Sequence, residues 1–301
     1  MKDPKAIQIT VPKGVELIIR QIEQAGYEAY AVGGCVRDAL LGREPEDWDI
    51  TTSAKPEVVK SLFLRTIDTG IEHGTVTVLL SPQEAGEGDR AFEVTTYRVD
   101  GIYEDGRHPK AVSFTGSLEE DLARRDFTIN AMAYHMDRGI IDCYHGQEDL
   151  ENKRIRTVGR AEERFTEDAL RMMRGIRFSA QLDFQIEADC LQAMLALREN
   201  LGKVSKERIA VELVKLLCSP HPERVKLLFS TGLSDFVTRH FSEIEKRGIP
   251  SLLGNAKAKK YLRLGLLLRH LPEYAKEILE ELKLDRECID QASAFVELFS
   301  L

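Results

Sequence analysis

Long apolar runs are missing from this 301-residue chain. No stretch approaches the roughly 20 consecutive apolar residues that a membrane-spanning helix requires, and the opening MKDPKAIQIT lacks the apolar core of a secretory signal. A cytoplasmic protein with no membrane association is expected. Cysteine is scarce: Cys35, Cys143, Cys190, Cys218 and Cys288 lie far apart with no CxxC pair, which argues against a disulfide framework and a thiolate zinc site. They read as ordinary thiols, mostly buried. Net positive charge is also lacking. With 42 basic against 50 acidic residues and a formal charge of −8, indiscriminate coating of DNA is disfavoured, although local basic surfaces are not. The most positive window runs from Lys246 to Arg263, where six basic residues occur without an acidic one.

What is present divides in two. To about residue 150, short β-branched runs alternate with turn residues; beyond it, helix formers recur at helical spacing. The expected fold is α+β, a small mixed β-sheet head followed by an all-α neck and body, with boundaries at 1–150, 151–219 and 220–301 and Pro220 and Pro222 marking the last division. Leu17 to Ala25 predicts an amphipathic helix closed by Gly26, Tyr30 to Val32 a strand running into Gly33-Gly34, Val36 to Leu41 a helix, and Trp48 to Thr51 a strand. Thr75–Leu80 and Ala91–Tyr97 predict a hairpin through the polar connection Ser81 to Arg90. Downstream, Glu167 to Ala180 predicts a helix with Thr166 as N-cap, and further helices are expected at about 187–200, 205–218, 222–230, 257–270 and 273–300, the last broken near Lys283 to Asp285.

Three local patterns carry chemistry. In Asp47-Trp48-Asp49, period-two alternation puts both carboxylates on one face of a strand, where they must repel or share a cation. Mg2+ suits such hard oxygen donors, since it binds through one or two carboxylates plus substrate phosphates; a solvated strand end is the plain alternative. Gly33-Gly34 lets backbone approach a phosphate at the start of a helix, with Arg37 adding a cation, although such a turn is often only structural. Glu93, on the second hairpin strand, is either a third carboxylate for the same site or an exposed strand residue.

These residues lie in YAVGGCVRDALLGREPEDWDI. With the later DLARRDFTINAMAY and EDALRMMRGIRF, the segment resembles the class II tRNA nucleotidyltransferases, the bacterial CCA-adding enzymes and their poly(A) polymerase relatives, over about residues 27–185. The resemblance implies a nucleotidyltransferase head with Asp47 and Asp49 as metal-binding aspartates, Glu93 as the further catalytic carboxylate, and Gly33, Gly34, Arg37, Arg125 and Asn130 as nucleotide contacts. Arg124 and Asp126 read equally well as structural ion pairs, and Asn130 as a ribose contact or a turn residue. The implied reaction is template-independent completion or repair of the tRNA 3′-terminal CCA from CTP and ATP, with Mg2+ as cofactor and pyrophosphate as leaving group. An A-adding enzyme, a poly(A) polymerase, or a non-catalytic RNA- or nucleotide-binding module of the same fold are the alternatives.

Asp168 and Arg171, three apart, fall on one helical surface. They make either an intrahelical salt bridge or a base reader: a carboxylate only accepts and a guanidinium only donates. Cytosine and adenine both place an amino donor beside a ring-nitrogen acceptor, whereas uracil and guanine reverse that order. The resemblance implies the second use, with Arg174 and Arg177 as further nucleotide contacts; on a continuous helix Arg177 lies opposite Asp168 and suits phosphate or structural support. The polar segment from Asp100 to Pro109, including Asp105 and Arg107, reads as a mobile loop, which the resemblance links to the passage from C to A addition. His73 and His108 suit turn or hydrogen-bonding roles. Lys257, Lys259, Lys260 and Arg263 are either a solvated face or a grip on the phosphates of the tRNA acceptor arm. No protein partner is indicated, and the tail domain typical of the family is expected to be absent.

Overall fold

The computed structural model describes residues 8–86, 90–101 and 112–299. They form two compact units, the described chain passing from the first to the second between Asn152 and Lys153. No described helix is long and apolar enough to cross a membrane.

The first unit is built on seven strands: β1 (Ala29–Val32), β2 (Ile50–Thr52), β3 (Thr66–Gly70), β4 (Thr75–Leu79), β5 (Ala91–Thr96), β8 (Ala133–His135) and β9 (Gly139–Ile141), with β6 (Arg98–Asp100) and β7 (Val112–Phe114) forming a separate antiparallel ribbon. The sheet order is β3-β4-β5-β2-β1-β8-β9. Its pairs are antiparallel except β2 with β5, which run parallel in the register Ile50 to Val94. Thr75–Leu79 and Ala91–Thr96 do pair as a hairpin, and the connection between them carries the short α4 (Pro82–Ala85) with a Ser81/Glu84 capping box.

One sheet face is covered by α1 (Lys13–Gln24) and α3 (Pro56–Leu62). Helix α1 presents Val15, Ile18, Ile19 and Ile22, all fully buried, which is the spacing expected of a single apolar stripe. It lies so near β5 that a Cβ on Gly14 would fall 2.7 Å from the Phe92 ring. Three further short helices, α2 (Gly34–Leu40), α5 (Leu118–Ala123) and α6 (Gly146–Glu151), belong to this unit, together with a 3-10 turn at Thr128–Asn130.

That turn is held from behind by α6. Asp142 caps the helix through the Gly146 and Gln147 N–H groups at 2.8 and 2.9 Å, and an added Cβ on Gly146 would lie 2.4 Å from the Thr128 carbonyl oxygen and 2.9 Å from Met132. Backbone cannot yield as a side-chain tip does, so Gly146→Ala is expected to cost about 1–3 kcal/mol through overpacking. Calorimetry should register that as a lowered Tm, while Gly116→Ala, where nothing lies within 4 Å of the new carbon, should be close to neutral.

The second unit is helical: α7 (Ala161–Glu167), α8 (Leu170–Leu182), α9 (Ala188–Leu197), α10 (Lys206–Leu217), α11 (Lys226–Ser230), α12 (Ser234–Val237), α13 (Glu243–Arg247), α14 (Lys260–Leu268), α15 (Pro272–Glu281) and α16 (Arg286–Leu298), with one small parallel pair, β10 (Arg154–Ile155) against β11 (Gln185–Ile186). Its centre is the packing of α8 on α10 and of α14 on α16. The expected break near Lys283 to Asp285 falls between α15 and α16, where Lys283 adopts a positive φ of 53° and Asp285 caps α16 through the Cys288 N–H. The helix expected from Glu167 to Ala180 is instead two helices. Backbone at Asp168 is extended (φ −141°, ψ 105°), and Thr166, expected as an N-cap, lies inside α7 with its hydroxyl donating to the Glu162 carbonyl.

Candidate functional site

Asp47 and Asp49 precede β2, which starts at Ile50 rather than at Trp48 as expected. The segment is nevertheless extended and keeps strand alternation: Trp48 and Ile50 are buried while Asp47 and Asp49 are exposed on the opposite side. The Asp49 carbonyl accepts from Val32 N–H at 3.0 Å, tying it to the end of β1. Because β2 and β5 run parallel from Ile50 and Val94, the residues one step earlier, Asp49 and Glu93, come level with each other, and Glu93 is exposed too. The hairpin strand and the DxD segment thus deliver carboxylates from distant parts of the chain to one place.

Their charges are felt. The Asp49 carboxyl is held above the ordinary carboxylate range, first because surrounding protein displaces water from it; Arg125 opposes this, and Glu93 and Asp47 add to it by repulsion. A divalent cation would relieve that repulsion, and the donors are all hard oxygens, so the residues fit Mg2+. Among the described residues no cluster of three or more His, Cys, Asp or Glu side chains surrounds one point, so the fit rests on the Asp47–Asp49 pair. Cys35, whose thiol donates to the Val32 carbonyl at 3.3 Å, is pushed up to about 12 by burial, with the Asp49 charge adding. It is a core thiol, not a nucleophile.

Around the carboxylates stand the glycine turn and two arginines. Gly33 has φ 85° and ψ −129°, a conformation for which a side chain is strained, and its Cβ would lie 3.0 Å from Arg125 Nη1. Gly34 begins α2, one turn before Arg37. Arg37 is nearly buried. Its Nε and Nη2 donate to both oxygens of Asp38 at 2.9 and 2.8 Å, and Nη1 donates to Asn130 Oδ1 at 2.6 Å. Asn130 in turn donates from Nδ2 to Asp126 at 3.1 Å. Asn130 is therefore an orienting link between the 3-10 turn and Arg37, and Asp126 a hydrogen-bond anchor for it.

Behind this row lies Asp121, fully buried on α5. It accepts from Thr51 Oγ1 at 3.0 Å, from the Arg98 backbone N–H at 3.3 Å, from Arg124 at 2.8 Å and from Arg125 Nη2 at 3.4 Å. Burial alone would push its carboxyl upward, but the charges of Arg124 and Arg125 and the hydrogen bonds from Arg124 and Thr51 override it and hold the group below the usual range. Arg124 is thus a structural partner, as one reading of the sequence had it. Asp121 itself was missed, because an acidic residue in DLARR gives no sequence sign of being buried.

In the second unit Asp168 and Arg171 do not bond side chain to side chain. Asp168 lies just before α8, its Oδ1 accepting from Leu170 N–H at 3.0 Å, and its Oδ2 accepts from Arg208 Nη2 at 2.8 Å. Arg171 donates from Nη1 to Glu167 at 2.5 Å and to the Arg164 carbonyl at 3.2 Å. Arg208 and Glu167 went unrecognised in the sequence; Arg208 lies 40 residues from its partner. Arg174 is half-buried beside the Phe178 ring. Arg177, read as a nucleotide or phosphate contact or as structural support, is buried: its Nε meets Glu212 of α10 at 2.6 Å, both side chains under a tenth exposed, and its guanidinium stacks 4.1 Å from the Phe178 ring centre.

The basic window is partly neutralised. Arg263, expected on an RNA-facing surface, is 4% exposed; it donates to the carbonyls of Lys257, Leu253 and Ala256 and so knits the turn before α14. Lys260 pairs with Asp285, Lys246 with Glu243 and Arg247 with Glu273. Lys257 and Lys259 remain exposed. Asp105, Arg107 and His108 lie outside the described residues, as does the side chain of Asp100.

Set against known proteins, residues 29–156 match the poly(A) polymerase head domain, and 183–244 match a probable RNA- and SrmB-binding site of polymerase A. The fold superposes on the crystal structure of the Bacillus stearothermophilus CCA-adding enzyme in complex with CTP with a TM-score of 0.85 and 40% identity, covering 97% of this chain and 71% of that one. The chain belongs to the CCA-adding enzyme family. Within the family, the CCA-adding enzyme of Streptococcus uberis is 51% identical over 221 residues, 73% of this chain and 52% of its own length. That of Leuconostoc mesenteroides is 56% identical over 200 residues, 66% of this chain and 48% of its own length. The chain spans about half the length of the curated CCA-adding enzymes it matches.

Proposed function

We propose that this chain is a template-independent nucleotidyltransferase that completes or repairs the 3′-terminal CCA of tRNA from CTP and ATP, releasing pyrophosphate, in a cytoplasmic setting. The observation that carries the reading is Asp49 level with Glu93, with Asp47 on the same side two residues before, beside Arg125 and the side-chain-free turn at Gly33. Kinship to an enzyme solved with CTP supports the substrate class.

Asp47 and Asp49 would hold Mg2+, with Glu93 close behind. Bound there, Mg2+ supplies charge stabilisation to the phosphate oxygens that react. The protein's own groups do the rest. Arg125, held by Asp121, and Arg37, held by both oxygens of Asp38 and by Asn130, donate to the triphosphate; anchoring limits the freedom they lose when they bind it. The bare backbone at Gly33 and Gly34 leaves room for that group. Asn130 sets Arg37 and stands near the sugar. Asp168 accepts from the exocyclic amine of C or A and Arg171 donates to the neighbouring ring nitrogen, so U and G, which reverse that order, leave both groups unmatched at a cost of discrimination. Lys257 and Lys259 reach RNA phosphates, a contact that weakens with salt, and the segment with Asp100, Asp105 and Arg107 serves the change from C to A addition.

Extension of three tRNA substrates, ending before CCA, after C and after CC, with CTP and ATP supplied singly and together under Mg2+, tests the proposal. The expected result is ordered addition of C, C and A followed by a stop. Addition of A only to the CC-ended RNA would make this an A-adding enzyme, and an unlimited A tract a poly(A) polymerase. Nucleotide binding without any extension would leave a non-catalytic module.

A further inference from the structure

Gly33, Gly34 and Arg37, assigned to the triphosphate, follow β1, which lies on one side of β2; β5, β4 and β3 lie on the other. In displacement at a phosphate the entering and leaving oxygens stand roughly in line. With pyrophosphate leaving toward Gly33, the 3′-oxygen of the RNA enters from the side of Glu93, and the strand behind it runs toward β4 and β3. Register defines that face. The level of Asp49 and Glu93 continues to Thr77 of β4 and Ile67 of β3, about 14 Å from Asp49 at the usual strand spacing. Two residues before Glu93, Ala91 stands opposite Leu79, whose N–H donates to the Arg65 carbonyl at 2.9 Å. Arg65 thus extends β3 by one residue, on the same face as Ile67. Val76, Val78, Phe92 and Val94 fill the other face and are buried.

We propose that the edge strand β3 is an RNA contact of the head, in which Arg65 holds a backbone phosphate of the single-stranded 3′ end and Ile67 lies beneath the nucleotide next to it. The inference rests on the assignment of the metal to Asp47 and Asp49 and of the triphosphate to the Gly33 turn. Arg65 is exposed, and its guanidinium has no ion pair or hydrogen bond among the described residues; Lys60, Arg37, Arg124 and Arg125 each face a carboxylate. Its five donors are therefore open to an anion from outside. Ile67 is 49% exposed, an aliphatic surface beside that cation. Asp68, the one acid of β3, is drawn to the opposite side by Lys60 of α3 at 2.8 Å. Between Glu93 and the edge the face carries hydroxyls: Thr75 and Thr95 lie 3.0 Å apart and Thr69 and Thr77 2.9 Å apart. Such groups repel no phosphate and can donate to phosphate or ribose oxygens.

Kinetics with the full chain test this. The KM for tRNA ending in CC is measured at saturating ATP, and the KM for ATP at saturating RNA, over a range of salt. Arg65→Ala is expected to raise the KM for RNA about three- to tenfold, the scale of one phosphate contact, with kcat and the KM for ATP unchanged. The slope of log kcat/KM for RNA against log salt should become shallower by about 0.7, the share of one phosphate of a single strand. Arg65→Lys should keep most of the affinity and Arg65→Glu lose more than Arg65→Ala. Ile67→Ser should raise the same KM without altering the salt slope. Lys55→Ala is the control: Lys55 is also exposed and without an ion pair among the described residues, but it stands at the start of α3, on the helix-covered side of the sheet. It should leave the KM for RNA unchanged.

A wild-type KM for RNA and a wild-type salt slope in both Arg65→Ala and Arg65→Glu would overturn the inference. So would an equal loss in Lys55→Ala, because the effect would then follow the net charge of the head and not this face. Arg65 has no side-chain partner to lose, so Tm should not move; a large drop in Arg65→Ala would make the residue structural and count against the proposal. Absence of incorporation by the wild type with Mg2+ would overturn the active-site reading itself, an outcome distinct from incorporation that is indifferent to Arg65.

Discussion

Asp49→Asn is expected to abolish nucleotide incorporation, by about three orders of magnitude or more, while leaving Tm unchanged or raised. The loss follows from the chemistry assigned to the Asp47–Asp49 pair. Without one charged oxygen ligand the site holds Mg2+ poorly, and several kcal/mol of charge stabilisation at about 1.4 kcal/mol per tenfold is lost from the reacting phosphate. The gain, or absence of loss, in stability follows from the structure. Surrounding protein displaces water from the Asp49 carboxyl, and Glu93 and Asp47 add repulsion against the opposing pull of Arg125, so its negative charge is unfavourable to the folded head until a cation arrives. A neutral amide of the same shape removes that repulsion. Thermal melting without metal, alongside incorporation of labelled ATP with Mg2+, separates the two effects. Incorporation at the wild-type rate would remove Asp49 from the metal site, and a large drop in Tm would make its role structural.

The second large effect is expected at Asp121. Asp121→Ala takes the common acceptor away from Thr51, the Arg98 N–H, Arg124 and Arg125. Breaking a buried charge network from one side is strongly destabilising, about 3–5 kcal/mol; because Arg124 and Arg125 are 16% and 19% exposed and regain some water, a loss of about 3 kcal/mol is expected, or a Tm lower by about 6–12 °C. Activity should fall as well, since Arg125 loses its anchor beside Gly33. The pH dependence has a definite sign. The folded carboxyl is held below its ordinary range, so its contribution to stability is fully present above the unfolded value of about 3.9 and is lost as pH falls through the folded value. Asp121→Asn should therefore be less stable than the wild type at neutral pH, with the gap closing below about pH 4. Denaturant melts at pH 7, 5, 4 and 3 would check it, and a gap that stays constant would argue that Asp121 contributes shape and not charge.

How far the sequence reaches depends on the distance over which each feature is decided. Alternation around Trp48 is local, so the shared face of Asp47 and Asp49 was legible even though the ladder itself starts two residues later than expected. Amphipathic α1 and the β4–β5 hairpin were legible for the same reason. The edge strand β3 was not, because most of its side chains are exposed and no alternation of apolar residues marks it. At Asp168 the sequence reads as continuous helix, since the helical pattern of Leu170, Met173 and Ile176 runs straight on from α7. Where α7 ends, the Asp168 side chain reaches forward to the Leu170 N–H, and the partner of its other oxygen is 40 residues away. Arg263 misled for a related reason: its neighbours Lys257, Lys259 and Lys260 make a basic cluster in sequence, but three backbone carbonyls draw its guanidinium into the core. Charge patterns can be read from a sequence; which charges become buried depends on long-range packing.

The two ionic contacts that α10 makes, with α8 and with the link before it, also bear on how the second unit assembles. Arg208 meets Asp168 and, one turn further along α10, Glu212 meets Arg177. A slide of α10 by one turn would bring Glu212 toward Asp168, acid against acid, while the apolar side chains between the helices could still find company. Buried ion pairs contribute little net stability, but polar contacts of this kind can specify register. In this helix pair the alternating charges act as a key: they penalise the neighbouring alignment more than they favour the correct one, and they leave Arg208 beside Asp168 before any nucleotide arrives.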